Sequence, residues 1–258
     1  MRIACWNVNS IRSRLEILLK WIDDTAPDVI LLQEIKCEEG AFPFEILQDK
    51  GYLCAVHGQK SYNGVAILSK YTLEDVTKGL PTLNGIDVQA RYIEAVVAGR
   101  FRVASVYVPN GQSIGSEKFF YKLLFLEKLQ EHLRTLLTHN EICIIGGDYN
   151  IAPSDDDIAN PVKWQDEIMC SQQERSWYKS FLNLGYIDCL KECTKSWPLY
   201  TWWDYRSGSW PKDQGLRIDH FLATSLAYEN VTHVGVDKAI RGLERTSDHA
   251  PIWLELKE

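Results

Sequence analysis

The 258-residue chain carries 28 Lys and Arg against 35 Asp and Glu, which gives a formal charge of −7 at pH 7. Hydrophobic residues make up 45% and charged residues 24% of the sequence, a composition that is typical of globular proteins and excludes wholesale disorder. The longest apolar stretches, such as Val29–Leu32, are far shorter than the ~20 residues needed to span a bilayer, so we expect one domain over residues 1–258 with no membrane contact.

The N-terminal part of the chain alternates short apolar runs with one helical pattern. Ile3–Val8 predicts a strand, and Ser10 is then expected to cap a helix. The apolar face of that helix has residues at helical spacing: Ile11, Leu15, Leu18, Leu19 and Ile22. The continuous apolar run Val29–Gln33 predicts a strand buried on both faces, and Val65–Leu68 predicts another.

The remainder of the chain adds a hairpin, a long helix and further strands. Tyr92–Ala98 and Phe101–Val108 predict a hairpin whose Gly99-Arg100 turn is of the Gly-X, type II′ kind. A long amphipathic helix follows, with one apolar stripe: Phe119, Leu123, Leu126, Leu133 and Leu137. Three later segments predict strands: Glu141–Ile145, Arg217–Ala223 and Pro251–Leu256. Many strands with few helices predict an α/β sandwich of two packed sheets covered by helices.

Seven cysteines occur without any CxxC pair, and several lie inside apolar runs. We expect free thiols in a reducing compartment and a cytoplasmic location, since polar residues near the start interrupt any signal-peptide core. Cys189 and Cys193 lie at helical spacing, but no His or third Cys accompanies them closely, which disfavours a zinc site there.

Polar side chains recur where predicted strands end: Asn7, Asn9, Glu34, Tyr107, Asn110, Asp148, Asn150, Asp219, Asp248 and His249. Each alone is a common turn or loop residue. Asp219 is harder to explain in this way, because a buried carboxylate in an apolar strand needs a partner, and His249 or an arginine is the natural candidate. In a sandwich these strand ends converge on one rim, where α/β sheets usually place their sites.

The chemistry of this set favours a hard divalent cation and a phosphate. Carboxylate and amide oxygens suit Mg²⁺ or Mn²⁺, with Glu34 and Asp248 as charged ligands and Asn7 nearby. A His–Asp pair can contact phosphate or activate water. Uncharged donors for phosphate oxygens come from three residues: Tyr107, Asn110 and Asn150. The pattern therefore predicts metal-assisted hydrolysis of a phosphodiester by in-line attack.

Eight collinear stretches spanning nearly the whole chain carry a family resemblance: Trp6-Asn-Val-Asn-Ser-Ile-Arg, Leu32-Gln-Glu-Ile-Lys-Cys, Tyr62-Asn-Gly-Val-Ala-Ile, Tyr107-Val-Pro-Asn-Gly, Gly147-Asp-Tyr-Asn-Ile-Ala-Pro, Tyr200-Thr-Trp-Trp-Asp-Tyr-Arg, Leu216-Arg-Ile-Asp-His-Phe-Leu and Ser247-Asp-His-Ala-Pro-Ile. In these stretches the chain resembles the bacterial type of the exonuclease III class of AP endonucleases, in the endonuclease/exonuclease/phosphatase superfamily. The resemblance implies a DNase I-like sandwich of two mostly antiparallel sheets. It also implies a Mg²⁺-dependent DNA repair nuclease that incises DNA 5′ to abasic sites and trims 3′ ends.

The same resemblance assigns roles to individual residues. It gives the first metal site to Asn7, Glu34 and Asp248. Some members of the class have a second metal position, which here corresponds to Asp148, Asn150 and His249, so one or two ions remain open. Asp148 or His249 removes the proton from water, and we favour Asp148. Asn150 would stabilise the transition state, and Asp219 would orient His249. Tyr107 and Asn110 fall on phosphate-contacting positions.

The resemblance also implies how substrate binds. Trp202, Leu216 and Ile218 fall where the class builds an apolar pocket for a base-free deoxyribose, and one of Trp202 and Trp203 is expected to be a core aromatic. The partner would be double-stranded DNA with abasic sites or 3′ ends, bound by a monomer. Basic residues near the motifs are candidate backbone contacts: Arg12, Arg14, Lys36, Lys60, Arg206 and Arg217.

Two other functions are compatible with the pattern. One is a relative that acts on lipid or inositol phosphodiesters. The other is a catalytically inactive relative that binds RNA or a protein. The Trp-Trp-Asp-Tyr-Arg stretch favours the nuclease over the first, and the presence of Glu34, Asp148, Asp219, Asp248 and His249 argues against the second.

Overall fold

The structure, a computed structural model, describes residues 1–83, 85, 88–194 and 197–257. Its strands are β1 (Arg2–Asn7), β2 (Val29–Gln33), β3 (Leu53–His57), β4 (Val65–Ser69), β5 (Leu73–Lys78), β6 (Tyr92–Val97), β7 (Phe101–Tyr107), β8 (Cys143–Asp148), β9 (Ile187–Asp188), β10 (Asp219–Ala223), β11 (Val231–Val236) and β12 (Ile252–Leu256). Its α-helices are α1 (Leu15–Thr25), α2 (Phe44–Asp49), α3 (Glu117–Thr138), α4 (Gln172–Asn183), α5 (Cys189–Cys193), α6 (Ser225–Tyr228) and α7 (Lys238–Arg241).

The strands form two six-stranded sheets of the same design. The first has the order β11-β12-β1-β2-β4-β3 and the second β5-β6-β7-β8-β10-β9. Neighbouring strands are antiparallel except at the centre of each sheet, where β1 pairs parallel with β2 and β7 pairs parallel with β8. The predicted α/β sandwich of two mostly antiparallel sheets is confirmed.

The main core lies between the two sheets. Fully buried residues from the first sheet, such as Leu31 and Ile67, belong to the same cluster as Val103, Ile144 and Phe221 of the second. At Gly146, a Cβ atom would lie 2.7 Å from Leu31 of the facing sheet, so the absence of a side chain lets the sheets approach closely. Helices cover the outer faces, with α1 and α2 on the first sheet and α3 and α4 on the second.

Two local predictions are wrong. Ser10 does not cap α1, which begins at Leu15. Ser10 has a φ of +86° and its backbone N–H donates to Glu34 O at 2.7 Å, so a loop is tied to the end of β2 there. The hairpin turn lies at Ala98 and Gly99, whose φ angles of +54° and +61° exclude the type II′ turn expected at Gly99-Arg100.

Four strands escaped prediction, and two of them, β5 and β11, do not carry a continuous apolar run. The edge strand β5 reads Leu-Glu-Asp-Val-Thr-Lys and is mostly exposed, and β11 has two exposed residues of six. The other two, β3 and β9, lie at sheet edges as well. Edge strands in native proteins are often polar, which hides them from hydrophobic patterning.

The thiols and the helix lengths bear on two further expectations. All seven cysteines are free, and most are buried, as predicted. In the described part of the chain, none of the helices combines the length and apolar character that a bilayer crossing requires.

Candidate active site

The ends of the two central strand pairs meet at one rim. Asn7 at the end of β1 lies beside Gln33 at the end of β2, and in the other sheet Tyr107 lies beside Asp148. The antiparallel partner β10 begins at Asp219, directly opposite Asp148. Parallel pairing therefore places the side chains that follow each strand at the same edge, as the sequence predicts.

Three residues at this rim have left-handed backbone conformations. Asn9, Glu34 and Asn150 all adopt left-handed φ angles between +45° and +50°. Such conformations are uncommon for non-glycine residues and cluster at functional sites, where the surrounding structure holds them. Here the backbone N–H of Asn9 donates to Asn7 Oδ1 at 3.0 Å, and that of Asn150 donates to Asp148 Oδ1 at 2.9 Å.

Asp148 lies at the centre of the site and is 1% exposed. Its Oδ2 accepts hydrogen bonds from Asn7 Nδ2 at 2.9 Å and Asn150 Nδ2 at 3.3 Å. Burial, only partly offset by the positive charge of His249, raises the pKa of Asp148 to about 7. A carboxyl group whose pKa lies near neutrality is suited to exchange a proton with water.

His249 is held by a buried acid, as the sequence suggested. Its Nδ1 donates to Asp219 Oδ2 at 2.9 Å, and its Nε2 lies 3.7 Å from Asp148 Oδ2. Burial opposes the charged imidazolium, but the carboxylates of Asp219 and Asp148 outweigh it and raise the pKa of His249 to about 10. His249 is therefore cationic at neutral pH, which suits contact with a phosphate better than proton removal from water.

Asp219 has a further partner that the sequence analysis did not identify. Thr201 Oγ1 donates to Asp219 Oδ2 at 2.6 Å and accepts from the backbone N–H of Asp219 at 3.1 Å. Ser247 was missed in the same way, and its Oγ donates to the carbonyl of Asn7 at 2.6 Å. In the sequence, the roles of Thr201 and Ser247 are indicated only by their positions next to Trp202 and Asp248 within the family motifs.

Glu34 projects into the site from the end of β2. Its Oε1 accepts from Asn7 Nδ2 at 2.8 Å, and its Oε2 lies 2.8 Å from Lys36 Nζ. Tyr107 is 9% exposed, and its hydroxyl donates a hydrogen bond to Glu34. Burial, with the carboxylates of Glu34 and Asp148, raises the pKa of Tyr107 well above its usual value, so the phenol is a neutral donor.

Asp248 lies on the same rim and is connected to Glu34 through Asn9 and Lys36. Asn9 Nδ2 donates to Asp248 Oδ1 at 3.0 Å, and Trp202 Nε1 donates to Asp248 Oδ2 at 2.9 Å. Lys36 Nζ joins the two acids, since it contacts Glu34 and also donates to Asn9 Oδ1 at 2.5 Å. Glu34 and Asp248 thus face the same region of the molecule.

The donor set fits a hard divalent cation. Ligand atoms of Asp148, Asp219 and His249 all lie within 4.8 Å of one another, and Glu34 is joined to Asp148 through the amide of Asn7. Carboxylate oxygens dominate this set, as Mg²⁺ and Mn²⁺ prefer. Asn7 directs its amide nitrogen toward both acids, so its proposed role as an oxygen ligand would require the amide to rotate.

Asn110 and Asn150, two further predicted site residues, are hydrogen-bonded to each other at this rim. Asn110 Nδ2 donates to Asn150 Oδ1 at 3.1 Å, and Asn150 Nδ2 also donates to the carbonyl of Val108 at 3.0 Å. Asn110 is exposed and Asn150 is buried. The pair therefore extends from the buried acid to solvent, where a phosphate can reach it.

The predicted apolar pocket is a packed cluster next to the acids. Leu216 and Ile218 are at most 1% exposed, and the half-buried Trp202 packs edge-on against Trp164 with ring centroids 6.0 Å apart. Trp203 is fully buried and is the expected core aromatic.

The candidate DNA contact at Arg217 is wrong. Arg217 is 1% exposed, and its guanidinium forms ion pairs with Asp157 at 2.8 Å and Asp188 at 2.7 Å. A buried arginine with two buried acids is part of the framework. Arg12, Lys60 and Arg206 are exposed. Arg14 and Lys36 are half-buried within the hydrogen bonds of the rim.

Comparison with known proteins identifies the family. The family model described as endonuclease/exonuclease/phosphatase matches residues 4–249. An exodeoxyribonuclease III from Haemophilus influenzae is 38% identical over 268 aligned positions that cover 100% of both chains. A 3′ phosphatase from Neisseria, solved with a product DNA hairpin, matches with a TM-score of 0.97 and 41% identity. An AP endonuclease from Archaeoglobus fulgidus matches with a TM-score of 0.94 and 36% identity. Each of these two structural matches covers 100% of this chain and 100% of the other. The chain therefore belongs to the endonuclease/exonuclease/phosphatase family.

Proposed function

We propose that this protein is a divalent-metal-dependent DNA repair nuclease that trims 3′ ends and incises duplex DNA 5′ to abasic sites. The observation that carries the proposal is the buried Asp148, with a pKa of about 7, beside the cationic His249 and the acid Glu34 at one rim. The similar Haemophilus and Neisseria proteins, which carry nuclease and phosphatase names, support it. We further propose that it acts as a cytoplasmic monomer.

The proposed chemistry begins with Asp148. Its carboxylate would accept the proton of the attacking water, and Asn7 and Asn150 would keep it oriented through their donated hydrogen bonds. Asp148 Oδ2 lies between these two amides, 3.7 Å from Nε2 of His249. The buried surroundings exclude bulk water, so the carboxylate remains a stronger base than an exposed aspartate.

Three residues would contact the phosphate. His249 would supply positive charge at Nε2, while Asp219 fixes the ring through Nδ1. The neutral hydroxyl of Tyr107 and the amide of Asn110 would donate hydrogen bonds to the non-bridging oxygens. Asn150 would stabilise the transition state through Asp148, because both N–H groups of its amide already donate, one to the Val108 carbonyl and one to Asp148 Oδ2. Donors fixed in advance stabilise charge that develops in the transition state without reorganisation.

The metal would be Mg²⁺, with Mn²⁺ as a substitute, held by Glu34 and Asp248 with Asn7 beside them. When bound, the ion supplies Lewis-acid polarisation of the phosphate and neutralises negative charge. A second position would comprise Asp148, Asn150 and His249, and binding there would require His249 to lose its Nε2 proton, because both nitrogens of an imidazolium are donors. For the sugar, Trp202 is the accessible member of the apolar cluster, and its indole N–H already contacts Asp248.

The direct test compares purified protein on three substrates: a duplex with one abasic site, a duplex with a 3′-phosphate, and sphingomyelin vesicles. We expect Mg²⁺-dependent cleavage of both DNA substrates, with no turnover of the lipid. No metal-dependent cleavage of either duplex by a folded preparation would refute the proposal. Lipid turnover alone would favour the alternative phosphodiesterase.

Glu34→Ala is expected to reduce cleavage chiefly by weakening metal binding. The apparent Mg²⁺ requirement should increase by at least about 10-fold, and excess Mg²⁺ should restore part of the rate. Titration of the rate with Mg²⁺ measures this. Glu38→Ala, at an exposed acid four residues along the chain, is the matched control and should titrate like the parent. A rate that excess Mg²⁺ cannot improve would contradict the assignment of Glu34.

The pH dependence of kcat/KM is expected to have two limbs. Asp148 must be deprotonated, so activity should rise with pH through about 7, and His249 must be protonated, so activity should fall as pH passes about 10. Protons and cations compete for these carboxylates, and raising Mg²⁺ should therefore move the lower limb to lower pH. A lower limb that does not respond to Mg²⁺ would contradict this account.

A further inference from the structure

A fully buried lysine lies directly behind the two loops that carry the site amides. Lys122 belongs to α3 and is 0% exposed, and the mechanism proposed above does not use it. Its Nζ donates to the carbonyl of Asn150 at 2.7 Å and to the carbonyl of Asn110 at 3.2 Å. The third partner is the carboxylate of Glu174, which is also 0% exposed. An ammonium group has three donors, and all three are used.

Glu174 is in turn fixed to its own surroundings. It occupies the first turn of α4, where its Oε2 accepts from the backbone N–H and the hydroxyl of Ser171 at 3.0 and 2.6 Å. Its other oxygen accepts from the backbone N–H of Met169 at 2.9 Å. The ion pair therefore connects α3 to the start of α4, and both helices provide a rigid base for the ammonium group.

The two carbonyls belong to backbone that needs support. Asn150 has a φ of +50°, and Gly111, which follows Asn110, has a φ of +91°. A Cβ at Gly111 would lie 3.2 Å from Lys122 Cδ, so the aliphatic stem of the lysine packs closely under this turn. Buried carbonyls without a partner are costly, and one charged group satisfies both.

We propose that Lys122 is a positioning residue that clamps the Asn110 and Asn150 loops together. By fixing both backbones, it sets the 3.1 Å hydrogen bond from Asn110 to Asn150 and the approach of the Asn150 amide to Asp148. Lys122 acts through the two asparagines and does not touch the substrate. The inference rests on the proposed function, since it gives Lys122 a role in that same site.

The test is a double-mutant cycle on 3′-phosphate release and abasic incision, with kcat and KM measured separately. Lys122→Met should lower kcat by about 10- to 100-fold, because small displacements of catalytic groups have effects of this size. KM should change by no more than about threefold, because the asparagines act mainly on the transition state. In an Asn150→Ala background the same substitution should cost about threefold or less, since its effect is transmitted through Asn150.

Two controls separate positioning from general destabilisation. Arg102→Met removes a buried ion-pair network, with Glu94 and Glu141, at the opposite end of β7 from Tyr107, so it should lower the Tm with little change in kcat. Lys122→Met alone would leave the buried carboxylate of Glu174 without its cation, and the double variant Lys122→Met/Glu174→Gln removes that charge. The double variant is used if Lys122→Met alone fails to fold. It should show the same loss of kcat.

The outcomes are distinct. If the parent protein cleaves neither DNA substrate, the proposed function fails. If the parent cleaves them and the losses from Lys122→Met and Asn150→Ala simply multiply, or kcat is unchanged in the folded single or double variant, the positioning role is overturned. Loss of kcat that disappears in the Asn150→Ala background, with normal kcat in Arg102→Met, supports it.

Discussion

Asp148→Asn is expected to lower kcat by about 10⁴-fold, the upper range for loss of a positioned acid–base group. The amide keeps the shape of the carboxyl group but cannot accept a proton from water. The folded protein disfavours ionisation of Asp148, as its raised pKa indicates, so the ionised carboxylate reduces stability above neutral pH. The variant should therefore retain or exceed the parent Tm while it loses activity.

Single-turnover kinetics and thermal unfolding at pH 8 check both halves of this prediction. Asp166→Asn, at an exposed acid in a loop, is the control and should leave both quantities unchanged. A decrease in kcat of less than about tenfold would contradict the role of Asp148 as proton acceptor. A large decrease in Tm would show that the lost activity reflects unfolding.

His249→Asn is expected to reduce kcat by about 10³-fold, because it removes the cation that contacts Asp148 and is held by Asp219. Loss of the imidazolium also leaves Asp219 and Asp148 without their shared positive neighbour. The pKa of Asp148 should rise further in the variant, since in the parent protein the positive charge of His249 lowers it. The lower limb of the pH profile should accordingly move to higher pH in the variant.

His233→Asn serves as the matched control, because His233 is exposed and lies in β11, at the edge of the first sheet. It should behave like the parent protein in rate and in pH profile. A near-normal kcat for His249→Asn, or a lower limb that stays in place, would contradict the charge assigned to His249.

Much of the site could be predicted because its members follow buried strands. Runs such as Val29–Gln33 are recognisable from their apolar composition, and Glu34 comes immediately after that run. Asp219 was expected to need a partner because a buried carboxylate is costly, and His249 is that partner. Local pattern together with the cost of burial was enough in these cases.

The residues that escaped prediction depend on contacts between distant segments. Thr201 reaches Asp219 across 18 residues, and Lys122 reaches Glu174 across 52. Arg217 was expected to face DNA, but its acids Asp157 and Asp188 lie 60 and 29 residues away in sequence. Neither spacing nor composition reveals such pairs, because the alternation in Leu216-Arg-Ile also fits an exposed arginine.

The account depends on a divalent cation bound beside Glu34 when DNA is present. Anomalous diffraction from crystals grown with Mn²⁺ and a duplex carrying a 3′-phosphate measures this directly. We expect an anomalous peak at roughly 2.0 to 2.6 Å from a Glu34 carboxylate oxygen, with the phosphate next to His249. A Mn²⁺ peak found only elsewhere, with Glu34 still paired to Lys36 and DNA bound away from this rim, would contradict the account.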